Sequence, residues 1–120
     1  MHDDYRPAMT DWIAMLTVST RLIFPKVRER AIKEITSRLE EIDPFDLISL
    51  AVKYDVQQWL KPAYRRIVIR VNLIAHAEAE KIPFLVAVML MRSREQYWKY
   101  RTNMLVSDII DSEIRLMDPT

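Results

Sequence analysis

The sequence contains no glycine and no cysteine. Phosphate-cradling loops, nucleophile elbows and tight hairpin turns lean on glycine for positive φ, so several enzyme classes lose support together. Without cysteine there are neither disulfides nor thiolate metal sites, and nothing in the design calls for an oxidising compartment. An intracellular protein, cytoplasmic or nuclear, is expected. Charge of one sign is missing as well. Eighteen Lys and Arg face seventeen Asp and Glu, a formal charge of +1, far from the basic excess that marks most nucleic-acid binders. The N-terminus, Met1 to Pro7, lacks the basic and apolar regions of a signal peptide. The longest apolar run, Phe84 to Met91, falls well short of the ~20 residues of a membrane span. No membrane partner is expected.

What is present is an ordinary globular balance, half apolar and 29% charged over 120 residues, enough for one buried core. Apolar residues recur with helical period in almost every segment. Thr10 or Asp11 caps a first helix with Trp12, Ile13 and Leu16 on one face, ending near Thr20. Pro25 opens a second, running to about Glu41 with Val27, Ala31, Ile32, Ile35, Leu39 and Ile42 on one stripe. Asp43-Pro44 is a cap followed by a first-turn proline and starts a third. Asp55 is the next cap candidate, before a helical turn over Val56–Leu60. A further helix follows from Lys61 to about Val71, with a kink or break expected at Pro62. Asn72 caps a short helix to Lys81, Pro83 opens a long one to roughly Tyr100, and Met104 to Leu116 forms the last.

No segment alternates apolar and polar residues as a strand would. The fold class is therefore all-α, with six to seven helices packed as antiparallel hairpins in a bundle or short solenoid. Residues 1–9 are expected to form a flexible tail, 10–116 a single helical domain, and 117–120 a frayed end. The expected core includes Trp12, Ile32, Ile35, Ile48, Ala51, Trp59, Leu60, Val88 and Met91.

Leu50-Ala-Val-Lys-Tyr-Asp-Val-Gln-Gln-Trp-Leu-Lys-Pro-Ala-Tyr64 resembles the "LA-x-KYDV-x-x-WL-x-PAY" signature of the helical region that follows the BTB/POZ fold in many basidiomycete fungal proteins. Upstream, Trp12, Leu16, Phe24, Arg28 and Ala31-Ile32 match the same family's pattern. Downstream, Arg70, Leu73, Glu78-Ala79 and Arg94-Glu95 continue it in order. The family usually has Trp-Gly where this chain has Leu22-Ile23, and Leu-Gly where it has Lys81-Ile-Pro83, so a glycine is lost from each of two turns.

The resemblance implies a BACK-like helical extension that supports partner binding, an adaptor or scaffold role. The BTB fold itself has no room before Trp12, so BTB-type dimerisation and cullin docking do not carry over. Within the signature, Leu50, Ala51, Tyr54, Val56, Trp59, Leu60, Pro62 and Tyr64 read as structural, Tyr and Trp supplying area with a polar tip. An exposed recognition role for Trp59 or Tyr64 is the alternative.

Catalytic constellations do not assemble from the sequence. His76 lies with Glu78 and Glu80 in one short segment, where a metal would want three or four converging ligands. The serines have no glycine-bearing elbow, and adjacent acids such as Glu40-Glu41 do not share a helix face. No catalytic residue, metal or cofactor is assigned, and the chain is read as a non-enzyme. The best candidate interaction surface is Arg92, Arg94, Tyr97, Trp98, Tyr100 and Arg101, a mixture of cations and aromatics able to hold phosphates and stack bases. A protein partner is the first expectation and nucleic acid the alternative. The oligomeric state is not legible.

Overall fold

The computed structural model describes residues 7–99 and 105–117. Among them are seven α-helices and no strands: α1 Met9–Leu22, α2 Pro25–Thr36, α3 Pro44–Lys53, α4 Leu60–Ile69, α5 His76–Ala79, α6 Phe84–Lys99 and α7 Val106–Met117. Short 3-10 turns cover Leu39–Glu41 and Gln57–Trp59. The chain is all-α, as its periodicity predicts. Sequence neighbours α1 and α2, α3 and α4, and α6 and α7 pack as pairs, and α4 also lies against α6 and α7. One core runs through these layers, from Leu16, Ala31 and Ile35 through Phe45, Ile48 and Trp59 to Ile67, Leu90 and Ile110.

Local chemistry explains most boundaries. Asp43 accepts from the Phe45 and Asp46 amides at 3.0 and 3.2 Å, with Pro44 at the first helical position. This satisfies two of the orphan donors at the start of α3. Asp11 accepts from the Ala8 amide at 3.0 Å, half of a capping box at α1. Pro25 opens α2 as expected.

Other boundaries depart from expectation. α2 stops at Thr36 rather than Glu41. The Thr36 hydroxyl donates to Ile32 O at 2.6 Å and Ser37 to Glu34 O at 2.7 Å, side-chain bonds that compete with continuation of the helix. Pro62 breaks nothing, because it is the third residue of α4, where the missing amide proton would have had no intrahelical acceptor. Asp55 does not cap the next turn. It sits at φ 56, the left-handed residue that ends α3 while the Val56 amide reaches back to Ala51 O at 2.9 Å. The helix expected from Asn72 to Lys81 shrinks to His76–Ala79, with Ala75 rather than Asn72 preceding it. Pro83 lies just before α6, its carbonyl accepting from the Ala87 amide at 3.0 Å.

Most of the expected core is buried, including Trp12, Ile35, Ile48, Ala51 and Trp59. Ile32 and Leu60 pack partly buried against it. Met91 is a correction: it is 47% exposed, because the buried stripe of α6 runs through Val86, Ala87, Leu90, Ser93 and Arg94.

The second left-handed residue is Ile23, at φ 59 and ψ 62, ending α1. The Phe24 amide bonds Ser19 O at 2.9 Å, the wrap-around closure usually built on glycine. A β-branched residue there carries a steric cost of about 1–2 kcal/mol.

Two signature residues tie the α1–α2 hairpin to the remainder. The Tyr54 hydroxyl lies 2.6 Å from Thr17 Oγ1, its carbonyl accepts from Arg28 Nη2 at 2.6 Å, and Trp59 Nε1 donates to Thr36 Oγ1 at 2.8 Å. Ala51, Tyr54, Val56, Trp59 and Tyr64 are buried, Leu50 and Leu60 half-buried, and Pro62 exposed. Burial also pushes the Tyr64 phenol upward.

Candidate functional site

The arginine-aromatic run of α6 is taken up largely by the fold. Arg94, expected on an open surface, is 7% exposed. Its Nη1 donates to Ile67 O at 2.6 Å and Arg70 O at 2.7 Å, and its Nη2 to Val71 O at 3.3 Å. These are the unclaimed carbonyls at and beyond the end of α4, so one side chain of α6 closes the terminus of another helix. The negative end of α4 favours a cation there. Desolvation, and secondarily Arg70, pull the guanidinium below its usual pKa.

Arg92 donates through Nε to Glu113 at 2.7 Å; that carboxylate side chain is 2% exposed while Arg92 is 58% exposed. Gln96 Nε2 bonds the other oxygen of the same carboxylate. Trp98 Nε1 donates to Val68 O at 3.1 Å, and its ring meets Tyr97 edge-on at 5.4 Å. Tyr97 packs half-buried against the core. Tyr100 and Arg101 lie outside the described residues. The structure thus brings Arg94, Trp98 and the end of α4 together, and turns Arg92 toward α7.

The burial of Arg94 had a sequence signal. It falls four residues after Leu90 and seven after Ala87, on the apolar stripe of its helix. A cation on that stripe implies acceptors waiting in the interior.

The 70–75 loop is organised by a second arginine. Arg70 Nη1 and Nη2 engage both oxygens of Glu78 at 3.0 and 2.6 Å, while Nε and Nη2 donate to Asn72 O and Leu73 O at 3.1 and 3.2 Å. Its guanidinium lies 5.2 Å from the Phe45 ring centroid. The hydrogen bonds from Arg70, then from the Ala75 amide, hold the Glu78 carboxyl down to about 2.

Among the described residues, apolar surface stays outside in two places that matter here. The first is a groove of about 470 Å³ between the 70–75 loop and α6, walled by Val71, Leu73, Ile74, Met91 and Trp98, with Arg94 and Glu95 completing it. The second is the apex of the α1–α2 hairpin, where Val18, Leu22, Ile23, Phe24 and Val27 are 52, 57, 81, 51 and 46% exposed. Sequence reasoning places Arg94 and Trp98 of the groove on a candidate surface but singles out neither the groove as such nor the apex. Their residues hide among helix-period patterns, and only the left-handed turn at Ile23 and the shortened α5 expose them.

Among the described residues there is no group of three or more His, Cys, Asp or Glu able to hold a metal ion. Nor is any helix among them long and apolar enough to cross a membrane. No family model, curated protein or solved structure matches the chain.

Proposed function

We propose that this chain is a non-catalytic protein-interaction module, an adaptor or scaffold segment related to the BACK-like helical extension of BTB proteins, working inside the cell. The observation that supports it best is the α1–α2 apex. Five large apolar side chains stand exposed there, beside the exposed cations Arg21 and Lys26, and no acidic residue occurs from Trp12 to Arg28. A contiguous exposed apolar patch rimmed by charge marks an interaction surface.

From Trp12 to Arg28 every charged side chain is a cation. A second copy apposed through the same apex would bring like charges together, so the matching surface is another protein with an apolar hollow edged by carboxylates. The nucleic-acid reading draws on Arg92 and Arg94, which Glu113 and the end of α4 already engage.

The test compares immobilised wild-type chain with an Ile23→Asp, Phe24→Asp variant in cell extract, with and without nuclease. Proteins captured by the wild type after nuclease treatment are expected to be lost from the variant, with unfolding temperatures close to each other. Capture that nuclease abolishes, or that the apex variant retains in full, would refute this function.

A further inference from the structure

We infer that the groove between the 70–75 loop and α6 receives the free C-terminus of a partner protein, one whose last residue is apolar and follows a basic residue. This rests on the interaction reading above and specifies the chemistry of one partner segment.

The argument starts from Arg94. A guanidinium carries five N–H donors. Nη1 shares its two among Ile67 O, Arg70 O and, at 3.5 Å, Val68 O, and Nη2 spends one on Val71 O. For Nε and the remaining Nη2 hydrogen there is no acceptor among the described residues, and no carboxylate among them pairs with this cation. A largely buried cation whose unspent donors reach solvent at an apolar groove suits an anion that carries an apolar body, and a carboxylate matches the planar fork best.

A chain terminus places a carboxylate and an apolar side chain on the same Cα. Both can then enter a groove of about 470 Å³, the carboxylate at Arg94 and the side chain against Leu73, Met91 and Trp98. A carboxylate within a chain would bring peptide on both sides into the same space. Glu95, exposed on the lining of the groove, opposes a lone anion but favours one with a cation close by. A basic residue before the terminus supplies that cation; a fatty acid does not.

The probe is an N-acetylated Ala-Ala-Lys-Leu peptide, titrated calorimetrically into the full chain as free acid and as C-terminal amide. The free acid is expected to bind about tenfold tighter or more. Because Arg94 also closes α4, the variants are chosen on exposed positions. Leu73→Asp should weaken the free acid by about tenfold, since a rim carboxylate repels the terminus. Glu95→Lys should reverse the preference for Lys over Glu at the penultimate position. Equal binding of acid and amide, no binding of the acid, indifference to Leu73→Asp, or decanoate binding as tightly as the peptide would each overturn the inference. Any of these leaves the apex-dependent capture untouched, so the groove and the wider interaction role fail separately.

Discussion

The α1–α2 apex and the junction of α4 with α6 are both connections built without glycine, and they solve the problem in opposite ways. At the apex the solution is local. Ile23 takes the left-handed conformation itself, the Phe24 amide closes on Ser19, and the apolar side chains are turned outward. At the junction the solution is imported. The chain leaves α4 extended, with Arg70 at φ −72 and ψ 152, and Arg94 of α6 supplies the donors that a tight turn would have found in its own backbone. A local solution costs conformational strain and depends on little else. An imported one is free of that strain but depends on a distant helix being in place.

The most damaging way to probe this contrast is to remove the imported donor. Arg94→Leu should lower unfolding free energy by about 3 kcal/mol in urea denaturation, because carbonyls at the end of α4 lose their protein donor. A loss under about 1 kcal/mol would mean that water replaces the guanidinium and the junction is not held as described.

A smaller effect comes from pH. The folded-state pKa of Glu78 is depressed to about 2, so its contribution is full above the unfolded carboxylate range near 4.5 and is lost as pH falls toward 2. With its side chain one-quarter exposed, solvent screening leaves on the order of 1–2 kcal/mol. Thermal unfolding of wild type and Glu78→Gln should converge across that window, the wild type being the more stable at neutral pH. Parallel curves would detach Arg70 from the stability of the loop.

The smallest effect should have the opposite sign. Ile23→Gly relieves the left-handed strain but loosens the unfolded chain, a net gain of about 0.5–1 kcal/mol. Calorimetric melting can resolve it, and destabilisation instead would show that the Ile23 side chain supports the hairpin.

How much of this was readable beforehand follows from the same contrast. Features fixed by neighbouring residues were legible: the helical periods, the Asp43-Pro44 start of α3, the proline opening α2 and the absence of strands among the described residues. Features fixed by distant side chains were not. The Arg70–Glu78 pair, although only eight residues apart, is equally silent in the sequence, and α5 is a single turn. The run from Arg92 to Arg101 has the composition of a binding surface, which does not by itself tell which of its cations turns inward. Once placed on the helix, Arg94 falls inward and Met91 outward. The missing glycine at Leu22-Ile23 gives no sign of a left-handed turn, yet Ile23 adopts one and stands exposed on it.

The reach of Arg94 also bears on the order in which the protein assembles. Its acceptors Ile67, Arg70 and Val71 lie 23 to 27 residues earlier in the chain, so the last turn of α4 cannot complete its hydrogen bonding until α6 has docked. The two helices should therefore mature in a single kinetic step, with probes at Val68 and Leu90 reporting similar φ-values. The apex turn, closed by bonds between near neighbours, can form independently of that event.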